Sequence, residues 1–275
     1  MNSKYVVIYA ISLCFLLIGA NAAFGLGEAL QEFQLSGRGA GSAGDFGYTS
    51  LWGNPAGIAR TPRYCATAMF NNFWGISEYS AYSVGAAWNP GFAAGSMFFN
   101  YFGSPDIYSE IIIGASVAKS VYRIVDVGAR MRYIQVGYPE PYGKASTVFL
   151  DFGLQHNFAN RAAIGVYAEN PAGISKLVGF DSNELLAVGL RYDAAEWATI
   201  FADVQFQQTG RGELYIGQEF RIFRWLSLSG GAGGRPSKFY LGANFFWNDF
   251  GVSWTGIIHP EMGMCNGGKI SWTKK

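Results

Sequence analysis

The sequence predicts an all-β protein: a transmembrane antiparallel up-and-down β-barrel of about fourteen strands, preceded by an irregular, partly helical plug segment. Three observations lead to this fold class. Segments of about ten residues alternate apolar with polar or small side chains, the composition is apolar and poor in charge, and the connections alternate between short and long. In a barrel these features correspond to lipid-facing strands, a membrane-embedded surface and the two unequal ends of the cylinder.

The alternation is clear from residue 184 to residue 193. Leu186, Val188 and Leu190 fall on one face of this segment, whereas Ala187 and Gly189 fall on the other, because successive side chains of a strand point to opposite sides. The same analysis predicts strands near residues 63–72, 79–88, 92–102, 109–118, 122–134, 146–156, 162–169, 184–193, 197–207, 211–222, 225–233, 238–247, 249–258 and 266–273.

A soluble β-sandwich is the alternative, because it would give the same alternation with the apolar face inward. Two features favour the barrel. The predicted strands have the nearly uniform length of about nine to eleven residues that crosses a bilayer at a tilt. Aromatic residues, among them Tyr101 and Phe102, lie at strand ends, where barrels carry interfacial girdles.

The composition points to the same class. Charged residues make up 14% of the chain, against about 25% in soluble domains, and aromatic residues make up 17%. Beyond the N-terminal region no apolar run reaches the roughly 18 residues of a spanning helix, so a closed barrel is the remaining way to pair every backbone group inside lipid. A formal net charge of +1 gives no electrostatic case for a nucleic-acid partner.

The connections predict how the barrel is oriented. Even-numbered strands are followed by tight turns such as 89–91 and 248–249, whereas odd-numbered strands are mostly followed by longer connections such as 135–145 and 259–265. Short periplasmic turns and long external loops are typical of outer-membrane barrels. An even strand count then places both termini on the periplasmic side of the outer membrane of a Gram-negative-type bacterium.

Three regions are predicted along the chain. Residues 1–22 form a secretory signal peptide, with Lys4, an apolar run and the cleavage site Ala20-Asn21-Ala22; a single membrane anchor is the alternative. Residues 23–61 form a glycine-rich segment that folds into the barrel or caps its periplasmic mouth, with 28–33 long enough for about one and a half helical turns. A flexible tail is the alternative for this segment. Residues 62–275 form the barrel.

Residue patterns that would support catalysis or a cofactor are weak. Gly39, Gly41 and Gly44 match G-x-G-x-x-G, but no strand precedes them, so we interpret the match as a result of glycine richness. The chain has no G-x-S-x-G and no H-E-x-x-H, and His156 and His259 are expected at opposite ends of the barrel, so neither an enzyme, a cofactor nor a metal is predicted. Cys65 and Cys265 are likewise expected at opposite ends of neighbouring strands, too far apart for a disulfide.

Charged and polar side chains on the inward faces are predicted to pair with one another and fill the lumen, because buried charges need partners. A substrate path is the alternative. The predicted lumen-facing residues are Asp126, Arg130, Arg132, Asp151, Arg191, Asp203, Glu213, Glu219 and Arg221.

Two segments carry a resemblance to a known family. The glycine-rich lead of residues 36–44, with Trp52, Asn54, Pro55, Ala56 and Gly57 after it, resembles the corresponding segment of the PorV/PorQ outer-membrane proteins and the related FadL-type transporters. The turn before the last strand, with His259, Pro260, Glu261 and Gly263, is similar to the H-P-E-L-G turn of PorV-like barrels. Residues 170–174 repeat the N-P-A-G motif in a predicted external loop.

The resemblance implies a fourteen-stranded barrel without enzymatic activity and with outer-membrane lipid around it. It implies one of two roles. The first is a PorV/PorQ-like transport or type IX secretion component, whose partners would be secretion-machinery proteins. The second is a FadL-like channel for hydrophobic small molecules. A purely structural barrel with a plugged lumen is a third hypothesis.

Overall fold

The computed structural model describes residues 33, 35–122, 124–139, 141, 143–158, 161–171, 184–207 and 212–274. The predicted signal peptide lies outside the described residues, and so do the helical turns predicted at 28–33, apart from Phe33. Residues 172–174 of the second N-P-A-G motif also lie outside them. The boundaries between the three predicted regions therefore stay predictions.

Within the described residues, fourteen strands form one closed antiparallel barrel, in which each strand pairs with its neighbours in sequence and the first pairs with the last. This confirms the predicted fold class. The strands are β1 Tyr64–Asn72, β2 Ser80–Trp88, β3 Ala94–Ser104, β4 Tyr108–Val121, β5 Val125–Gly137, β6 Lys144–Phe158, β7 Ala162–Glu169, β8 Leu185–Ala195, β9 Ala198–Gln207, β10 Gly212–Phe223, β11 Leu226–Gly233, β12 Lys238–Trp247, β13 Phe250–His259 and β14 Gly263–Lys274.

Three short 3-10 helices accompany the described strands. The first spans Gly47–Leu51 and the second spans Pro55–Arg60, both before β1, and the third spans Ser77–Tyr79 between β1 and β2. None of the described helices is both long enough and apolar enough to cross a membrane.

The two ends of the barrel differ. We call the end that holds the connections after even-numbered strands the turn end; β1 begins there and β14 finishes there. The opposite end, with the connections after odd-numbered strands, is the loop end. The even-numbered strands are followed by tight turns such as 196–197 and 248–249, whereas the longer connection 73–79, after β1, lies at the loop end.

Several strands are longer than the predicted nine to eleven residues. β4 has 14 residues, β5 has 13 and β6 has 15. The β5–β6 hairpin remains paired up to Gly137 and Lys144, so five of the eleven residues of the loop predicted at 135–145 belong to the strands. Because these strands continue to pair beyond the predicted span, the loops there are shorter than predicted.

The loop predicted at 259–265 is also wrong. His259 ends β13 and Gly263 begins β14, so only residues 260–262 connect the two strands. The His259 ring nitrogen Nδ1 accepts hydrogen bonds from the backbone N–H groups of Glu261 and Met262, both at 3.2 Å. Gly263 adopts φ +89°, which favours glycine and lets the chain reverse direction.

The outward faces are apolar along the whole barrel. Met131, Leu190 and Ile270 are typical members, exposed by 55%, 41% and 59% of their surface. A continuous surface of this kind is typical of contact with hydrocarbon. The inward faces carry polar, small and some aromatic side chains, as the alternation predicts. Phe102, predicted to be part of an interfacial girdle, is instead 2% exposed and points into the lumen, because it shares its face of β3 with Phe98 and Asn100.

The strand register shows where the two cysteines lie along the barrel. Cys65 lies opposite Thr273 on β14, near the turn end, whereas Cys265 lies opposite Ile257 on β13, near the loop end. Both side chains are buried. The geometry thus agrees with the expectation that they do not form a disulfide.

The barrel lumen as the candidate functional site

Residues 35–61 lie against the inner wall of the barrel, and we call them the plug. Its first part follows the wall from β12 towards β7. Ser36 lies beside Gly242, Arg38 lies beside Gly217 of β10, and Ala43 lies beside Gly165 of β7. The two 3-10 helices then fill the space enclosed by β1 to β6. The plug is therefore in contact with most of the circumference.

The plug approaches the wall so closely because the wall offers glycine at the contact points. A Cβ atom added at any of six strand glycines would collide with the plug backbone or with the Asn54 side chain. The plug backbone can approach the strands directly only where the wall has no side chain. We call these six positions the glycine wall: Gly128, Gly153, Gly165, Gly217, Gly231 and Gly242.

One inward acid binds the glycine-rich part of the plug. The Asp203 carboxylate accepts hydrogen bonds from the backbone N–H groups of Gly41 and Ser42 at 2.8 and 2.7 Å, and from the Ser42 hydroxyl at 2.8 Å. Asp203 is fully buried. Gly39 and Gly41 adopt positive φ angles of +69° and +109°. The G-x-G-x-x-G segment thus turns around a carboxylate and does not join a strand to a helix.

Asn54 of the N-P-A-G motif connects the plug to two strands. Its amide nitrogen donates to the carbonyl oxygen of Ala43 at 2.8 Å and to that of Leu154 at 3.0 Å, with a longer contact of 3.4 Å to that of Val166. Its side-chain oxygen accepts from the backbone N–H of Ala56 at 3.0 Å and caps the second 3-10 helix. This motif therefore has a clear structural role.

The rest of the motif shapes the same helix. Pro55 occupies its first turn, where the missing N–H is not needed. Gly57 lies beside Asp45 and Ser50, where a Cβ atom would collide. Trp52 donates its indole N–H to the Asn100 side chain at 2.9 Å. The family-like residues of the lead are thus close together in space, whereas the similar turn at His259 lies at the loop end.

A buried charge cluster joins β5, β6 and β7. Arg130 and Arg132 each lie 2.7 Å from the Asp151 carboxylate, and Arg132 also pairs with Glu169 at 2.8 Å. Arg130 donates to the carbonyl oxygen of Gly53 in the plug at 2.9 Å. This cluster brings together three predicted lumen residues and adds Glu169, which the sequence analysis missed.

A second charge cluster is centred on the plug. Arg38 pairs with Asp45 at 2.7 Å and with Glu219 of β10 at 3.5 Å, and Arg191 of β8 lies 3.5 Å from Asp45. Burial alone would raise the pKa of Asp45, but the guanidinium groups of Arg38 and Arg191 hold it below its ordinary value. Arg191 and Glu219 were predicted to face the lumen, whereas their partners in the plug were not predicted.

The remaining predicted lumen residues have different surroundings. Asp126 is fully buried and pairs with Arg60 of the plug at 2.5 Å. The half-buried Glu213 accepts a hydrogen bond from the Tyr215 hydroxyl at 2.7 Å. Arg221 lies at the turn end of β10 and is exposed, so it does not join the buried clusters.

Aromatic side chains line the loop end of the lumen on the β1–β5 side. Neighbouring rings have centroid distances from 5.6 to 6.3 Å, in edge-to-face, tilted and stacked arrangements. We call this group the aromatic cluster: Phe73, Trp74, Tyr79, Phe102, Tyr108 and Tyr138. The sequence analysis missed it, because four of its members lie in connections and Phe102 was assigned to the outer surface.

One acid lies next to the aromatic cluster. Glu110 of β4 is 6% exposed, its register partners are Phe102 and Val136, and the Tyr108 hydroxyl lies 3.5 Å from its carboxylate. In the described part of the chain Glu110 forms no salt bridge, in contrast to Asp126, Asp151 and Asp45. The described residues also contain no group of three potential metal ligands.

Comparison with solved structures identifies barrels of the same fold. The toluene transporter TbuX of Ralstonia pickettii is 11% identical with a TM-score of 0.65, over 87% of this chain and 96% of that one. The toluene transporter TodX of Pseudomonas putida is 11% identical with a TM-score of 0.60, over 86% and 94%. A FadL homologue from Pseudomonas aeruginosa is 9% identical with a TM-score of 0.60, over 86% and 96%.

At these identities the likeness is one of fold. No protein-family model matches the chain, and no curated protein matches it.

Proposed function

We propose that this protein is an outer-membrane β-barrel that carries hydrophobic small molecules, as a FadL-like channel, and that the aromatic cluster is their binding site. The aromatic cluster is the observation that carries the proposal. Ligand sites for such molecules are concave, mostly apolar and lined by aromatic side chains with few polar groups. The solved barrels of similar fold include proteins described as toluene transporters and a FadL homologue.

The packing of the cluster favours an aromatic guest. Phe73 and Phe102 meet edge to face with centroids 5.6 Å apart, and Tyr79 stacks on Phe102 at 6.3 Å. Aromatic pairs in these arrangements contribute about 0.5–1.5 kcal/mol beyond the burial of apolar surface. A small aromatic molecule inserted between such rings would form the same kinds of contact.

The proposal includes the membrane in which the barrel lies and the direction in which the barrel is oriented. The apolar outer face supports placement in a lipid bilayer, and the fold supports the outer membrane. We place the turn end in the periplasm, because β1 begins and β14 finishes at this end and outer-membrane barrels have their short turns on the periplasmic side. No catalytic role is part of the proposal.

The resemblance to PorV/PorQ proteins leaves a secretion role as the competing hypothesis. It rests on the N-P-A-G lead and the turn at His259, and both segments have structural roles here: Asn54 fixes the plug and His259 organises a hairpin turn. The comparison with hydrocarbon transporters therefore supports the small-molecule channel better than the secretion component.

Naphthalene binding tests the proposal. The full chain is purified in detergent, and naphthalene fluorescence is titrated against wild type, Phe102→Ala and Phe99→Ala. We expect Phe102→Ala to weaken binding about tenfold, because one aromatic contact is lost. Phe99 lies on the same strand but is exposed on the outer face, so Phe99→Ala should bind as wild type does.

The competing hypotheses give different results. If wild type binds no naphthalene, or if both variants lose affinity equally, the proposed site is wrong. If native membranes then yield the barrel together with secretion proteins, the secretion role is favoured.

A further inference from the structure

A pocket lies at the turn end, where the plug joins β1. Its volume is about 420 Å³, and it is partly open to the surroundings. The residues that line it are Thr61, Arg63, Tyr64, Trp88, Asn89, Pro90 and Gly91. It is separate from the aromatic cluster, which lies at the other end of the barrel.

Hydrogen bonds of Asn89 hold the floor of the pocket together. The Asn89 side chain donates to the carbonyl oxygens of Ala59 and Thr61, both at 3.1 Å, and accepts from the backbone N–H of Gly91 at 2.9 Å. The backbone N–H of Asn89 donates to the carbonyl oxygen of Arg63 at 3.0 Å. These bonds connect the end of the plug to the β2–β3 turn.

Among the described residues, two polar groups of the pocket have no hydrogen-bond or ion-pair partner. Thr61 is 4% exposed, and its hydroxyl has no hydrogen-bond partner among the described residues. Arg63 is exposed, contacts the Tyr64 ring with its guanidinium carbon 5.7 Å from the centroid, and forms no salt bridge in the part of the chain that the structure describes. A hydroxyl and a guanidinium in one pocket are suited to bind a phosphate group.

The pocket also borders the lipid-facing wall. Tyr64 and Trp88 are cross-strand neighbours on the outer surface, exposed by 45% and 42%. Tryptophan and tyrosine occupy such positions at the level of lipid head groups. A bound phosphate would therefore lie at the edge of the hydrocarbon layer, where a phospholipid carries its head group. A free phosphate ion has no apolar part that could contact the Tyr64 and Trp88 rings.

The charge of the turn end favours an anionic lipid. Among the described residues, the exposed basic side chains of this end outnumber the exposed acidic ones, Glu196 and Asp249. The basic residues are Arg63, Lys119, Arg161, Arg221, Arg224 and Lys274. Lys274 lies opposite Tyr64 in the β1–β14 pairing, close to the pocket.

We propose that the pocket formed by Thr61, Arg63, Tyr64 and Trp88 binds the head group of an anionic phospholipid. Arg63 and the Thr61 hydroxyl bind the phosphate, and the Tyr64 and Trp88 rings pack along the glycerol and the upper acyl chains. The site anchors the turn end at a defined depth in the bilayer, beside the junction of plug and barrel.

Native mass spectrometry of the full chain in detergent tests this site. Dioleoyl phosphatidylglycerol is titrated against wild type, Arg63→Gln, Thr61→Val and the matched control Arg224→Gln, an exposed arginine of the same end but outside the pocket. We expect Arg63→Gln to weaken phosphatidylglycerol binding about fivefold, the effect of one basic residue at an anionic surface. Thr61→Val should also weaken binding, while Arg224→Gln should not.

Three results would overturn the proposal. Equal losses in Arg63→Gln and Arg224→Gln would show a general charge effect. Equal binding of dioleoyl phosphatidylcholine by wild type would show that the site does not select anionic lipid. Competition by millimolar inorganic phosphate would assign the pocket to the free ion. Naphthalene binding by the same variants should match wild type, so failure of this site is distinguishable from failure of the proposed channel.

Discussion

The glycine wall and the aromatic cluster are two inward surfaces of one barrel, and they are built in opposite ways. At the glycine wall the strands contribute no side chain, and the plug backbone lies directly on the sheet. At the aromatic cluster large rings from strands and connections fill the space between β1 and β5. The first surface is complementary to one segment of the same chain, whereas the second consists of aromatic rings that pack against one another.

This difference indicates that the two inward surfaces have different roles. The plug is held by hydrogen bonds and ion pairs whose partners are buried, for example Asp203 with Gly41 and Arg130 with the Gly53 carbonyl. Removing one partner of a buried polar pair is costly, so the plug should be fixed in place. The aromatic cluster depends mainly on apolar contacts, which a hydrophobic ligand can replace at little cost.

The largest effect should come from adding bulk to the glycine wall. In β11, Gly231 faces the plug and a Cβ there would collide with the Arg38 carbonyl, whereas a Cβ at Gly230 would meet only the Tyr240 carbonyl oxygen at 3.6 Å. We expect Gly231→Val to lower the free energy of unfolding by on the order of 3 kcal/mol, because the packed wall is overfilled. Urea unfolding in detergent, followed by tryptophan fluorescence, measures this.

Gly230→Val is the matched control, since it adds the same bulk on the other face of the same strand. Its urea midpoint should stay close to that of wild type. Equal destabilisation by the two variants would show that the contact between Gly231 and the plug backbone does not cause the loss of stability.

A somewhat smaller effect is expected at Asn54. Asn54→Ala removes the donor shared by the Ala43 and Leu154 carbonyl oxygens and leaves them without it in a buried site. The loss should be about 2 kcal/mol. Hydrogen exchange of residues 35–61 should accelerate accordingly, while Asn266→Ala, at an exposed position of β14, should leave it unchanged. Unchanged exchange in Asn54→Ala would mean that other contacts hold the plug.

Acid should loosen the plug through Asp45. Its pKa is lower in the folded protein than the ordinary value of about 3.9, so its stabilising effect is complete above that value and is lost as the pH falls through the lower folded value. Asp45→Asn lacks this effect at every pH. Hydrogen exchange of residues 38–45, corrected for intrinsic rates, should therefore differ between wild type and Asp45→Asn at pH 7, and this difference should begin to shrink below about pH 4. A constant difference down to pH 3 would contradict the role of Asp45.

The smallest effect is expected at the aromatic cluster and concerns its preference between anionic and uncharged ligands. The Glu110 carboxylate should disfavour an anionic guest, so Glu110→Gln should improve dodecanoate binding about fivefold, on the order of 1 kcal/mol. Naphthalene is uncharged and should bind wild type and variant alike. Competition of dodecanoate with naphthalene fluorescence measures both values, and equal gains for the two ligands would indicate a change of shape rather than of charge.

The fold could be predicted from the sequence because each strand carries its own signal. Leu186, Val188 and Leu190 alternate with small residues within a few positions, and this local period requires no knowledge of the neighbours. The lengths of the loops were predicted less accurately. The turn at His259 is short because a ring nitrogen accepts two backbone hydrogen bonds, which depends on the turn geometry itself.

The site could be predicted only in part. The inward direction of Asp203 follows from the period of its strand, but its partner Gly41 is 162 residues away and no local pattern connects them. The period of β11 places Gly230 and Gly231 on opposite faces, but no local pattern shows that the plug backbone lies against Gly231. Phe102 was assigned to the outer surface because it lies at a strand end, whereas its parity on β3 places it inside.

The central claim is that a hydrophobic guest binds among the rings at the loop end. The most direct measurement is a crystal structure of the full chain soaked with 1-bromonaphthalene, in which anomalous scattering locates the bromine. We expect the bromine peak inside the lumen among Phe73, Phe102, Tyr108 and Tyr138, with the plug still on the glycine wall. Bromine found only on the lipid-facing exterior, with the aromatic cluster unoccupied, would contradict the claim.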